Sequence, residues 1–253
     1  MANQAHLKFL QAGALTWWEW RRHYPEIIPD LQDADLQKIN LRGANLQGVN
    51  LRGVNLRGAK LIRANLQGAD LSHADLSKAQ LWSANLRGVV LLSSCLEAAQ
   101  LYQADLRGSE AIAVQGAGAD FTGADLSRAN FVGADFREAI FKEVDFSSAN
   151  LRRCDFTRAN FIKSNFNHAQ LQRANLNSVE AIESHFYQAQ FNYAQLSYAH
   201  LSGSYFYGAD FQDCDLFQTD FRWANLTKAN FSNTNLTHTQ LRGANLTKAL
   251  LPQ

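Results

Sequence analysis

The sequence predicts an all-β rod, wound from a five-residue unit as a coil with corners and filled along its axis. Three observations predict it. A Leu or Phe stands at 31, 36, 41 and every fifth residue to Leu251, and of these 45 centre positions only Ala111, Gly116 and Ala181 depart. From residue 34 to 249 the position two before each centre holds Ala, Val, Ser, Thr or Cys, with Ile39 the sole exception. The residue just before the centre is usually Asn or Asp, and the two after it are mostly polar, charged or Gly.

A period of five fits neither the 3.6 of an amphipathic helix nor the 2 of a flat strand. Each unit instead makes one short side before the chain turns. One large and one small inward position per unit suit a narrow filled tube, because extra bulk at the small site would overpack it. The remaining positions face out or form the corner, where Gly, Asn and Asp adopt turn geometry at least cost.

Units such as Ala64-Asn-Leu-Gln-Gly68 and Ala124-Asp-Leu-Ser-Arg128 follow the pattern A-(N/D)-(L/F)-x-x. Over about nine-tenths of its length the chain resembles the pentapeptide-repeat proteins. That resemblance implies a right-handed, four-sided parallel β-helix with four units per turn. Residues 20 apart would stack at about 4.8 Å, so residues 31–251 would make about eleven coils and a rod of about 50 Å.

Length and composition agree with one elongated domain, a helical cap over 1–30 followed by the β-helix over 31–253. There is no Pro between 30 and 251 and no linker, and in a repeat protein length counts coils, not extra domains. A formal charge of +1 argues against a nucleic-acid binder and equally against an acidic mimic of nucleic acid. No run of 18 apolar residues exists, so no transmembrane span or other membrane association is expected. Lys8, Gln11 and Glu19 interrupt any secretory signal, which makes cytoplasm the expected compartment. Cys95, Cys154 and Cys214 fall on one side, about three coils or 14 Å apart, too far for disulfides. Cys154 and Cys214 hold the small inward site as packing residues.

Taken in order, residues 3–24 read as a helix with Asn3 as N-cap and Pro25 as the stop. Gly13 either weakens its middle by about 1 kcal/mol or splits it in two. The first coil of a β-helix exposes unpaired backbone, and a lid in which Trp17 and Trp18 face that end outweighs a membrane-surface helix. Beyond it, Ile62, Trp82 and Tyr102 share one outward column, and Leu92, Ile112 and Val132 another. Such strips mark a contact surface or stabilise the sheet locally as cross-strand ladders.

Residues 108–119 are the main defect, since Ala111 and Gly116 should leave holes costing a few kcal/mol each if unfilled. Val114 can refill the second hole, and Ile112 the first through a bulge. The triplet Glu110-Ala111-Ile112 recurs at Glu180-Ala181-Ile182, which favours repacking over an extruded loop. Gly116-Ala117-Gly118 lacks the strand–helix unit of a dinucleotide fingerprint. From Phe121 to Phe231 most centres are Phe, a core ladder expected to make this half the stiffer one.

Residues 187–223 carry the second unusual surface. Tyr187, Tyr193, Tyr198, Tyr205 and Tyr207, with Phe217 and Trp223, take outward positions, and Tyr and Trp concentrate at interfaces. The bland alternative is an aromatic ladder serving stability. Asn-x-Ser/Thr triplets near the end, such as Asn225-Leu226-Thr227, are repeat letters. The last coil is expected either to be blunted by Pro252 and local side chains or to pair end to end with a second copy.

Chemistry is absent from the pattern. His73, His168, His185, His200 and His238 are scattered, with no metal spacing. Asp70, Asp75, Asp120 and Asp125 hold the corner position, and a filled rod offers no deep pocket for tuning a pKa. No catalytic, cofactor-binding or metal-binding residue is assigned. The expected function is a non-enzymatic rigid scaffold for a protein partner, through the Tyr187–Trp223 surface or the Trp82 strip. The resemblance supplies an alternative, a DNA mimic protecting a topoisomerase. Against it stand the near-zero charge, the early Arg42, Arg52, Arg57, Arg87 and Arg107, and the lack of a C-terminal helix or side loop. A purely structural spacer is the third reading.

Overall fold

Corners come first, because they set the period. In most units the N–H two residues after the corner residue pair's first member closes a tight turn, as when Ala34 N donates to Leu31 O at 3.1 Å. The third residue of the turn has positive φ, 58° at Asp33 and 65° at Gly43, as a type II turn requires. The Asn or Asp before each centre locks this geometry: its side-chain oxygen accepts the N–H two residues on, as from Gln32 to Asp30 Oδ1 at 3.1 Å and from Ser77 to Asp75 Oδ1 at 2.8 Å. These are Asx turns, the reason short polar side chains recur there.

Between corners lies one bridging residue per side. The computed structural model, which describes residues 2–252, joins residues 20 apart by parallel bridges from Asp30–Asn50 to Asn230–Leu250. Each bridge carries two hydrogen bonds; Leu31 N donates to Asn50 O at 2.8 Å and Asn50 N to Pro29 O at 3.0 Å. Four units therefore complete one turn, and side chains 20 apart stack.

The axis is filled. Centre and small positions are buried from Leu31 to Phe231, apart from the half-buried Ile39. Phe rings stack coil on coil: Phe146, Phe166, Phe186 and Phe206 follow one another at 4.7, 4.8 and 4.7 Å. Most polar residues at the small site are satisfied, Ser109 Oγ being the exception among the described residues. Ser184 Oγ donates to Phe161 O at 2.8 Å and accepts Ser164 N at 3.2 Å. Cys154 Sγ and Cys214 Sγ donate to the carbonyls of Phe131 and Phe191. All three cysteines are free.

The defect at 108–119 is repacked without a bulge. Bridging continues through Glu110–Asn130 and Gln115–Asp135, so Ala111 stays inward and Ile112 points out. The expected refilling by Ile112 is thus incorrect; a regular corner cannot turn a residue next to the centre inward. Phe136, one coil above Gly116, fills the second hole, since a Cβ on Gly116 would meet its ring at 2.6 Å. Val114 is buried as expected.

Gly13, with φ 111°, splits the N-terminal segment into α1 (Gln4–Gln11) and α2 (Ala14–His23). Asn3 caps α1, accepting Ala5 N at 2.9 Å. Trp17 is wholly buried and donates from Nε1 to Asn45 O at 2.7 Å, while Asp30 N donates to His6 Nδ1 at 3.0 Å. Trp18 does not join it; the ring beside Trp17, at 5.2 Å, belongs to Trp20. Adjacent residues on a helix point about 100° apart, whereas three apart share a face. At the other end bridging between Asp215 and Asn235 is missing among the described residues. Leu236, Leu241 and Leu246 are only partly buried, and Leu250 and Leu251 are exposed.

Candidate interaction surface

Stacking decides which outward side chains meet. Tyr187 and Tyr207, 20 apart, stack at 5.5 Å. His168 packs edge-on against Tyr187 at 5.2 Å, and Lys228 Nζ lies 5.0 Å over the Tyr207 ring. On the same side, two residues before Tyr207, Tyr205 stacks on His185 at 5.9 Å. Tyr187, Tyr205 and Tyr207 thus share one side of two successive coils, with Tyr187 and Tyr205 exposed.

The other four aromatic candidates do not join them. Tyr198 packs on Phe217 at 5.6 Å on another side, and Phe217 on His238 at 5.1 Å. Tyr193 sits under Arg173 at 5.7 Å on a third corner. Trp223 occupies a fourth, its ring over Gly243, where an added Cβ would run into the ring. Seven residues that are near in sequence are therefore distributed around the rod.

The second strip does stack. Ile62, Trp82 and Tyr102 follow one another across the bridges Lys60–Gln80 and Gln80–Gln100, Ile62 half-buried and both rings exposed. Trp82 Nε1 donates to Gln100 Oε1 at 3.0 Å. Opposite the two rings lie Ala98 and Gly118, and the missing side chains leave a shallow, mainly apolar hollow of about 590 Å³ floored by Gln100 and Asp120.

Charge is interleaved along the rod. Arg107 bridges Asp105 and Asp125, Arg137 pairs with Asp135 and Arg158 with Glu138. Hydrogen bonds from Arg137 hold the Asp135 carboxyl below the usual carboxylate range against partial burial. Burial pushes the Cys154 and Cys214 thiols up to about 12. Among the described residues no group of three or more His, Cys, Asp or Glu converges as a metal site, and no helix is long and apolar enough to cross a membrane. Sequence reasoning missed a hollow lined by Arg152, Arg153 and Arg173. Its signal was present, an Arg pair followed 20 residues later by another Arg.

The family model described as pentapeptide repeats matches the chain in eight copies, over 30–108, 117–177 and 184–251. The chain belongs to the pentapeptide-repeat family. Its fold is accordingly the right-handed quadrilateral β-helix of that family. The stretches skipped by the match, 109–116 and 178–183, contain the three lost centres Ala111, Gly116 and Ala181.

No curated protein matches the chain. Among solved structures it is similar to HetL, a pentapeptide repeat protein involved in heterocyst differentiation regulation from the cyanobacterium Nostoc sp. strain PCC 7120. The two are 27% identical over 92% of this chain and 96% of HetL, with a TM-score of 0.37. QnrB1, a plasmid-mediated fluoroquinolone resistance protein, is 17% identical over 85% of this chain and 90% of its own, with a TM-score of 0.40. The pentapeptide repeat protein Rfr23 from the cyanobacterium Cyanothece 51142 is 16% identical over 56% of this chain and 90% of its own, at a TM-score of 0.25.

Proposed function

We propose that this pentapeptide-repeat chain is a non-enzymatic rigid scaffold that binds a protein partner through the side bearing Tyr187, Tyr205 and Tyr207. In this reading about eleven coils form the rod and the segment up to residue 30 caps one end. Trp17, buried against Asn45, supports the cap, because such a lid covers an edge that would otherwise recruit other strands. The carrying observation is three tyrosines on one side of two successive coils, Tyr187 and Tyr205 exposed and Tyr207 half-buried, with Tyr187 and Tyr207 stacked at 5.5 Å. Rings already held in place bury large areas on binding at little entropic cost. The hollow beside Trp82 and Tyr102 is a second, separate contact for the same class of partner. The interleaved ion pairs along the rod speak against imitation of duplex DNA, which needs one long negative side. A second copy of the chain is the proposed occupant of the half-buried Leu236, Leu241 and Leu246.

The test uses host extract and two baits, the parent and a variant carrying Tyr187→Ser, Tyr205→Ser and Tyr207→Ser. A specific partner retained by the parent and lost by the variant is the expected result. Equal recovery by both baits removes the tyrosine reading. Light scattering of the parent and of Leu241→Glu tests the second copy: a dimer that becomes a monomer supports it, and a monomeric parent refutes it.

A further inference from the structure

A hollow of about 520 Å³ opens at one corner of the rod, lined by Arg152, Arg153, Arg173, Gln172, Val132 and Tyr193. Arg153 and Arg173 are 20 residues apart and so lie one above the other, their backbones about 4.8 Å apart. Arg152 is the neighbour of Arg153 in the chain. Three arginine side chains thus line one hollow. Five arginines elsewhere on the rod, Arg52, Arg107, Arg137, Arg158 and Arg222, are paired with acids. Among the described residues no ion pair is formed by Arg152, Arg153 or Arg173; neutral groups hold two of them. Arg152 Nε donates to Asn150 Oδ1 at 3.0 Å, and Arg173 lies over the Tyr193 ring.

We propose that this corner binds a compact phosphate ester. Three planar donor forks suit the oxygens of a dianion, since guanidinium meets phosphate through paired, charge-assisted hydrogen bonds. The volume falls in the range of small-ligand sites, about 300–1,000 Å³. Acids bound the cationic patch. Asp213 follows Tyr193 in the same column, Asp155 stands two residues beyond Arg153, and Asp210 holds Asn192 Nδ2 at 2.7 Å. A long polyanion laid across the corner would meet these carboxylates, whereas a single phosphate would not. Val132 and the exposed Tyr193 ring offer apolar surface to the esterified group. Gln172 Oε1, buried without a hydrogen-bond partner, is an acceptor for a hydroxyl on it. Gly133, below Arg153 in the column, has open space around its Cβ position and leaves the entrance clear. This site is separate from the tyrosine side and goes beyond the scaffold reading.

The test is calorimetric titration of the whole chain at low salt with phenyl phosphate, inorganic phosphate, benzoate and a single-stranded oligonucleotide. Phenyl phosphate should saturate one site, more tightly than inorganic phosphate and at least tenfold more tightly than benzoate. Arg153→Gln with Arg173→Gln should weaken it by at least tenfold, as expected for loss of charge-assisted hydrogen bonds. Gln already occupies this corner position with φ 53° at Gln103 and 51° at Gln188, so the variant keeps the fold, checked by circular dichroism. Arg128→Gln, at a different corner, should leave binding unchanged. The proposal is overturned by no saturation up to about 10 mM phenyl phosphate, by unchanged affinity in the double variant, or by tighter binding of benzoate or the oligonucleotide at this site.

Discussion

Replacing Gly116 with the residue the repeat prescribes should weaken the rod. A Cβ at 116 would stand 2.6 Å from Phe136 Cε1 and 2.7 Å from Cδ1, about 1 Å inside the favourable carbon–carbon separation. The ring has nowhere to retreat, being packed by Phe121, Phe131, Phe141 and Phe156 at 5.6, 5.3, 5.2 and 5.7 Å. Overpacking of this kind costs about 1–3 kcal/mol. Gly→Ala also removes freedom from the unfolded chain, worth about 0.4–1 kcal/mol in the opposite direction, so the steric loss wins. At mid-range the net loss is about 1.3 kcal/mol, so Gly116→Ala should lower Tm by roughly 3–5 °C at about 2–4 °C per kcal/mol for a chain of this size, and Gly116→Leu by more. Combining Gly116→Leu with Phe136→Leu should recover most of the loss, a coupling that a double-mutant cycle reads directly. Thermal and urea unfolding followed by circular dichroism supply the numbers. Gly116→Ala as stable as the parent, with Phe136 retained, would refute this account of the packing.

Thiol chemistry should separate the three cysteines. In native protein a disulfide reagent should label Cys95, which is partly exposed beside Ser77, and leave the buried Cys154 and Cys214 untouched until urea is added; rapid native labelling of all three would contradict the filled axis. Trp17→Ala should cost about 3–5 kcal/mol locally and raise amide exchange across α1 and α2 first; unchanged exchange there would deny Trp17 its anchoring role. Acid should destabilise the rod in part through Asp135. Its folded pKa is depressed by Arg137, so its stabilisation is complete above the unfolded value of about 4 and is lost as pH falls through the lower folded value. Asp135→Asn should flatten the urea-midpoint curve below about pH 4, and an identical acid limb in both proteins would exclude that contribution.

The rod was legible because its period is written in every unit, from Leu31 to Leu251. What the sequence hid were complementarities between coils. Gly116 reads as a hole for Val114 to refill until Phe136, 20 residues on, is seen to lean into it; the residue stacked above is a filler. Trp18 faces away because adjacent residues on α2 point about 100° apart, whereas Trp20, three on from Trp17, shares its face. The aromatic stretch 187–223 looked like one surface because its residues crowd together in sequence. A chain that turns a corner every five residues spreads them around the rod, so that Tyr187 meets Tyr207 on one side and Tyr198 meets Phe217 on another. Arg152, Arg153 and Arg173 do not stand out in the sequence because charged residues after the centre obey the repeat rule.

Every surface assignment depends on side chains 20 apart lying one coil above another, and distances between spin labels measure that directly. In a Cys95→Ser background, labels at Arg57 paired in turn with Thr157, Asn177 and Ser197 span five, six and seven coils. Their separations should be about 24, 29 and 34 Å, rising by about 4.8 Å per 20 residues, with narrow distributions. Separations that fail to climb in equal steps would contradict the stacked register and the surfaces built on it.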